Sequence, residues 1–219
     1  MTLCNALLRP AAGVTLYCDT LLVNQHNEAR SLTLKASLFP TLPAVMGFRG
    51  ASEFHVEAAR LLRDQYHRDV EAAVPVLARE LGAAIARKRR EQPEHARHFH
   101  ALILLFGAVR GRFAGWRIAI EDGPAEVTPL APGWHLEPAV PPEVVARLGR
   151  EPNDELAKAL AFAQQHGMAE TVRLEGETGV GIGGDLYRVD LTHGGILVGK
   201  VASFPDRAEA VRRLEGLAV

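Results

Sequence analysis

The chain has 219 residues, which is enough for one domain with a full hydrophobic core. Apolar residues make up 47% of the sequence and charged residues 23%, as is usual for a globular protein. The formal net charge is −1, so there is no electrostatic reason to expect binding to nucleic acid or to an anionic membrane surface.

The sequence also carries no signal for export or membrane insertion. Its N-terminus lacks the basic region and sustained apolar stretch of a secretory signal peptide, and no run of about 18 apolar residues predicts a transmembrane helix. Two cysteines, Cys4 and Cys18, are too few for a disulfide framework, which is typical of a reducing compartment. We therefore expect a cytoplasmic protein without a membrane partner.

The first half of the chain predicts short strands followed by two helices. The strands are expected at Thr2 to Leu8, Val14 to Asp19, Ser31 to Lys35 and Ala44 to Met46. Gly47 to Gly50 predicts a tight turn, after which Ser52 has the side chain of a helix N-cap. A second helix, about Val70 to Arg90, has one apolar stripe and a basic last turn.

The second half predicts further antiparallel strands with one long helix between them. The strands are expected at Leu102 to Ala108, Trp116 to Glu121, Val127 to Leu130, Asp185 to Leu191 and Ile196 to Phe204. Prolines between 129 and 142 indicate an irregular connection. Asp154 to His166 predicts a helix, and Arg207 to Leu217 a short terminal one. This order indicates an α+β fold, and without a clear linker we expect a single domain over residues 1–219.

Two oppositely charged residues end two of the predicted strands. Asp19 closes the second strand and Lys35 the next, sixteen residues later, shortly before the glycine turn. An acid and a lysine held together there could form the charged floor of a catalytic site. Taken alone, however, a strand-end lysine is more often a solvated edge charge, and Asp19 followed by Thr20 also fits a strand-ending turn.

The order of these segments resembles the start of a proteasome-type β-subunit, an N-terminal nucleophile (Ntn) hydrolase. The resemblance rests on GVTLYCD up to Asp19, KASLFP from Lys35, Met46-Gly47 before the first long helix, Phe106-Gly107 in the central strand pair, and a closing hairpin around Gly183-Gly184-Asp185 and Thr192 to Gly195. It implies an α+β four-layer αββα sandwich of two antiparallel sheets. It further implies a homo-oligomer, since subunits of this family pack through their helix layers.

The resemblance also implies roles for particular residues in amide-bond hydrolysis of a peptide or other amide substrate. In the family, the first residue of the processed chain attacks the carbonyl and its free α-amine acts as the base. Asp19 would hold the ammonium group of Lys35 in place, and Lys35 would lower the pKa of the nucleophile. The backbone amide of Gly47 would donate a hydrogen bond to the oxyanion.

Two residues are candidates for the nucleophile. Thr2 would become a free N-terminal threonine if Met1 were removed. Cys4 is the second candidate, because residues two apart share a strand face. The family spacing of sixteen residues before Asp19 instead reaches Leu3, which has no nucleophilic group.

Two alternatives to an active hydrolase stay open. Besides the misfit at Leu3, the region Ala131 to Trp134 lacks the serine that the family carries after its central hairpin. These departures favour a non-catalytic proteasome-like subunit that acts in assembly or binding. A third hypothesis is an α+β domain that binds a small molecule and is unrelated to Ntn hydrolases.

Neither a metal nor a cofactor is predicted. The spacing of His95, His98 and His100 does not place all three on one face of a helix or strand, and no carboxylate or cysteine pattern completes a metal site. The glycines between 179 and 184 precede a strand and not the start of a helix, so they do not make a phosphate-binding loop.

Overall fold

The computed structural model describes residues 3–23, 29–64, 69–174 and 182–207. The strands are β1 (Cys4–Arg9), β2 (Gly13–Asp19), β3 (Leu21–Val23), β4 (Ala29–Leu32), β5 (Ala36–Phe39), β6 (Ala44–Gly50), β7 (Ala101–Val109), β8 (Arg112–Ile120), β9 (Glu126–Pro129), β10 (Gly133–Glu137), β11 (Asp185–Thr192) and β12 (Gly195–Ser203). The helices are α1 (Ser52–Asp64), α2 (Val70–Glu91), α3 (Pro142–Val145) and α4 (Asp154–Leu174), with a 3-10 helix at Pro93–His98.

Two five-stranded antiparallel sheets form the centre of the fold. The first has the order β10-β1-β2-β11-β12, so the N-terminal hairpin lies in its middle. The second has the order β5-β6-β7-β8-β9, and β3 and β4 make a separate hairpin. The first sheet therefore combines strands from both ends of the chain.

Three apolar clusters divide the molecule into layers. The cluster between the sheets joins Leu16 and Val189 of the first sheet to Leu104 and Phe106 of the second. A larger cluster packs α1 and α2 on the outer face of the second sheet, and a smaller one packs α4 on the outer face of the first. The order of layers is thus helix, sheet, sheet, helix, which confirms the predicted α+β sandwich.

Buried polar contacts fix α4 on the first sheet. The side chains of Asn5 in β1 and Gln164 in α4 bond to each other twice, at 2.6 and 3.1 Å, and both are almost fully buried. Near the start of the helix, the hydroxyl of Tyr17 donates to Asp154 at 2.9 Å. Because a buried amide needs partners, these contacts select one position of the helix on the sheet.

Several predicted features of the chain are wrong. The strand expected at Ser31 to Lys35 ends at Leu32, so Lys35 does not close it, and the helix expected to end at His166 runs to Leu174. Gly47 to Gly50 is the end of β6 and not a turn, because pairing with β7 continues up to Gly50 opposite Ala101. Residues between the prolines at 132 and 138 were expected to be irregular, yet Gly133–Glu137 forms strand β10, paired with β1. This strand was not predicted because prolines near both of its ends argue against a strand in the sequence, although proline is tolerated at the ends of an edge strand.

Some predictions fall partly or wholly outside the described residues. The helix expected at Arg207 to Leu217 does so except for its first residue. Thr2 and Met1 also lie outside them. Within the described part of the chain, no helix is long and apolar enough to cross a membrane.

Candidate active site

Asp19 and Lys35 form a buried ion pair at one end of the sheets. Asp19 is the last residue of β2, and Lys35 directly precedes β5 in the other sheet. The Lys35 Nζ lies 2.8 Å from Oδ2 of Asp19, and their side chains are 3% and 0% exposed. The pair therefore joins the two sheets, and the interpretation of Lys35 as a solvated edge charge does not fit this structure.

The Asp19 carboxyl accepts three hydrogen bonds. Oδ1 accepts from the backbone N–H of Leu3 at 2.9 Å, and Oδ2 accepts from Gly183 N–H at 3.0 Å in addition to Lys35. Burial raises the pKa of Asp19, while the ammonium and the two amide donors act in the opposite direction. Since all three contacts need an acceptor, their geometry is that of an ionised carboxylate.

The strand-ending position of Asp19 is held by the segment that precedes β11. The N–H groups of Thr20 and Leu21 both donate to the carbonyl of Gly183, and the N–H of Asp185 donates to Oγ1 of Thr20 at 2.8 Å. Gly184 has φ of +78°, and a Cβ on it would lie 2.6 Å from that Oγ1. A glycine is therefore required at 184 for the close approach.

The contribution of Gly183 could not be deduced from the sequence. The sequence predicts that Gly183 and Gly184 begin the closing hairpin, but the group of Gly183 that donates to Asp19 is its backbone N–H, which every residue except proline has. The contact could have been suggested only by combining two features of the sequence: Asp19 at the end of one strand, and Gly183-Gly184-Asp185 before a distant strand.

Gly47 lies close to Lys35 through strand pairing. The ladder between β5 and β6 ends at the pair Ala36–Gly47, one residue after Lys35. Gly47 also packs against Cys4 of the other sheet, so closely that an added Cβ would lie 2.0 Å from the Cys4 Sγ. The structure therefore brings Asp19, Lys35 and Gly47 together around the start of β1.

Cys4 and Cys18 face each other across β1 and β2, and both are free and buried. Burial, with lesser effects of Cys18, Glu137 and Asp19, raises the pKa of the Cys4 thiol well above its usual value. Burial likewise raises the pKa of Cys18 to about 12. Because the thiolate is the reactive form, neither cysteine has the environment of a nucleophile.

Leu3 contacts the candidate site through its backbone and the core through its side chain. The Leu3 nitrogen that bonds to Asp19 is covalently joined to the carbonyl carbon of Thr2. The side chain of Leu3 itself is fully buried, in the cluster beneath α4. The residue that matches the family spacing thus has a buried, apolar side chain, and only its backbone N–H contacts Asp19.

The histidines singled out in the sequence do not gather into a metal site. His95 and His98 belong to the 3-10 helix, and His100 follows it. Within the described ranges, no group of three or more His, Cys, Asp or Glu side chains could hold a metal ion.

Comparisons with solved structures show where this fold occurs elsewhere. A Gly-1 mutant of Anbu from Hyphomicrobium sp. strain MC1 aligns with a TM-score of 0.61 at 14% identity, over 100% of this chain and 95% of that chain. Anbu from Yersinia bercovieri, described as an ancestral beta-subunit, aligns with a TM-score of 0.59 at 14% identity, over 100% and 93%. No protein-family model matches the sequence, and no curated protein does.

These findings correct the family assignment made from the sequence motifs. It identified the chain as a divergent proteasome β-subunit-like Ntn hydrolase, and that identification is wrong as it stands, because no sequence match supports it and the similar structures are Anbu proteins at 14% identity. Identity at that level shows the fold alone. The chain has a sandwich fold like that of Anbu.

Proposed function

We propose that this protein hydrolyses amide bonds, with Thr2 as an N-terminal nucleophile after removal of Met1. One observation carries the proposal: the N–H of Leu3 donates to Oδ1 of Asp19 at 2.9 Å, while Lys35 holds Oδ2 at 2.8 Å. Thr2 is covalently joined to that nitrogen, so we expect its hydroxyl to lie near the buried Lys35 ammonium. A positive charge there would stabilise the deprotonated hydroxyl.

The proposed reaction proceeds through an ester intermediate. Thr2 Oγ1 attacks the carbonyl carbon of the substrate while the free α-amine of Thr2 takes the hydroxyl proton. The tetrahedral intermediate then expels the amine product, which takes a proton from the α-ammonium group. Water hydrolyses the remaining ester with the α-amine again as the base, which returns Thr2 to its starting state.

Lys35, Asp19 and Gly47 support this reaction without changing covalently. The Lys35 ammonium stabilises negative charge that develops on Thr2 Oγ1, and Asp19 holds that ammonium in place. We assign the backbone N–H of Gly47 as the donor to the oxyanion. Gly47 is the residue at which the pairing of β6 with β5 ends. A donor fixed in a sheet needs no reorganisation when charge develops on the substrate.

The experiment compares the protein lacking Met1 with Thr2→Ala and Thr2→Ser on a panel of fluorogenic peptide amides. Thr2→Ala should lose at least about a thousandfold in kcat/KM, because both steps need the hydroxyl, whereas Thr2→Ser should keep measurable activity. Thr128→Ala, at an exposed threonine of β9, is the matched control and should behave as the wild type. Full activity in Thr2→Ala would reject the assignment.

A second candidate function is a non-catalytic subunit that assembles as a homo-oligomer. It is favoured by Leu3, which occupies the position sixteen residues before Asp19 and is fully buried. The Anbu of Yersinia bercovieri is described as a beta-subunit, which gives this candidate a structural precedent. Light scattering tests it: a stable oligomer at micromolar concentration supports the candidate, and a monomer contradicts it.

A further inference from the structure

A cavity lined by arginines lies beside the candidate active site. It has a volume of about 260 Å³ and is lined by four arginines, one histidine and three carboxylates. The arginines come from four different elements: Arg49 from β6, Arg89 from α2, Arg97 from the 3-10 helix and Arg117 from β8. Bringing four guanidinium groups together costs free energy through repulsion and loss of hydration, unless negative charge lies close to them.

The carboxylates of the lining balance these charges incompletely. Glu137 faces two arginines at once, with its oxygens 3.7 Å from Arg49 and 3.5 Å from Arg117. Both distances are longer than those of a well-formed charged hydrogen bond. Asp122, 4.0 Å from Arg89, is fully exposed and therefore screened by water.

Arg97 adds a fourth positive charge to the lining. Its Nε lies 3.4 Å from Nε2 of His98, and within the described residues no carboxylate approaches it to ion-pair distance. Burial lowers the pKa of His100, so at neutral pH that imidazole contributes no positive charge of its own. By formal count the lining holds four guanidinium groups and three carboxylates, an excess of one positive charge.

Strand pairing places this cavity at the start of β1. Glu137 lies directly opposite Cys4 in the pairing of β10 with β1. Arg49 lies two residues after Gly47, the residue that packs against the same cysteine. The cavity is therefore adjacent to the end of β1 at which Thr2 is attached.

We propose that this cavity binds a carboxylate of the substrate, so that the protein selects peptides with an acidic side chain near the cleaved bond. The proposal rests on the proposed amide hydrolysis for its site. A single carboxylate supplies the one negative charge that the cavity lacks, and guanidinium groups match its two oxygens in a bidentate geometry. A phosphate dianion carries two negative charges, one more than the formal excess of positive charge in the lining. We therefore expect the cavity to favour a carboxylate over phosphate.

Binding to the Thr2→Ala protein tests the proposal without catalysis. The peptides are acetyl-Ala-Ala-Glu-Ala-Ala-amide and its counterpart with Gln in place of Glu, measured by calorimetric titration. We expect the Glu peptide to bind at least about tenfold more tightly, and the preference to fall severalfold in Arg97→Gln and in Arg49→Gln. Arg90→Gln is the matched control, since this exposed arginine follows Arg89 in the same helix but does not line the cavity.

The outcomes separate this proposal from the proposed hydrolysis. A Glu preference that depends on Arg97 and Arg49 supports the carboxylate site, whether or not the protein lacking Met1 cleaves either peptide. Equal affinity for the two peptides would overturn the site, even if both are cleaved. A preference that survives both arginine changes would also overturn it, as would inorganic phosphate displacing the Glu peptide at lower concentration than free glutamate does.

Discussion

The sulfur of Cys4 fills the space beside Gly47 at the point where the two sheets meet. A Cβ added to Gly47 would lie 2.0 Å from the Cys4 Sγ but at an ordinary 3.6 Å from the Cys4 Cβ and from Leu16. The thiol is free and buried, and it interlocks with a glycine of the opposite sheet. The Cys4 sulfur thus occupies the space that any side chain at position 47 would need.

Gly47→Ala should therefore destabilise the protein by about 1–3 kcal/mol, because the new methyl group overlaps the sulfur. The same change made in a Cys4→Ala background should cost less than about 1 kcal/mol, since only ordinary contacts remain. Urea unfolding of the four proteins measures this coupling. Gly123→Ala serves as the control, because a Cβ at that position would meet no atom within 4 Å. Equal costs in both backgrounds would contradict the contact.

The ion pair of Asp19 and Lys35 gives a second prediction. Lys35→Met should destabilise the fold by about 3–5 kcal/mol, because it leaves a buried carboxylate without its counter-charge. The double variant Asp19→Asn/Lys35→Met should lose less than the sum of the single changes, since neither charge is then left alone.

The control for that prediction is an exposed pair. Arg79 and Glu80 lie 2.8 Å apart on the surface of α2, with side chains 69% and 44% exposed. Removing Arg79 should change the free energy of unfolding by no more than about 0.5 kcal/mol. A cost for Lys35→Met as small as that of Arg79→Ala would show that the buried pair is not formed.

The pH dependence of stability gives a third prediction, through His55. This histidine bonds to Ser37 at 2.9 Å and stacks on Phe48, and burial lowers its pKa. Below the unfolded pKa of about 6.5 the unfolded chain binds a proton that the folded protein binds less readily. The free energy of unfolding should therefore decrease as the pH falls below about 6.5.

Replacing His55 removes this contribution. In His55→Gln the decrease between pH 7 and pH 5 should be shallower than in the wild type, by up to about 1.4 kcal/mol per pH unit. Thr128→Ala, at an exposed and non-titrating residue of β9, is the control and should keep the wild-type slope. If His55→Gln had the same slope as the wild type, the buried imidazole would not be the titrating group.

Much of the fold could be predicted because its strands and helices carry clear local patterns. The long helix from Val70 and the strand pair around Arg110-Gly111 follow from apolar periodicity and a turn. Strand β10 escaped prediction because its pairing with β1 joins residues more than a hundred positions apart. The turn expected at Gly47 to Gly50 was wrong for a similar reason, since pairing with β7 extends the strand.

At the candidate site, side chains were easier to predict than backbone groups. Asp19 and Lys35 followed from their types and their spacing, and the structure brings them together. The N–H donors of Leu3 and Gly183 carry no side-chain signature, so sequence reasoning could not assign them. The roles of Thr2, Asp19, Lys35 and Gly47 in catalysis stay predictions, as does the extent of a single domain over residues 1–219.

Covalent labelling tests directly whether the hydroxyl of Thr2 is a nucleophile that Lys35 activates. The protein without Met1 is treated with a β-lactone, whose ring opens when a hydroxyl is acylated, and the intact mass and the modified peptide are determined by mass spectrometry. We expect one adduct, located on Thr2. It should be absent from Thr2→Ala and strongly reduced in Lys35→Met. No adduct, or the same adduct in Thr2→Ala, would contradict this role of Thr2.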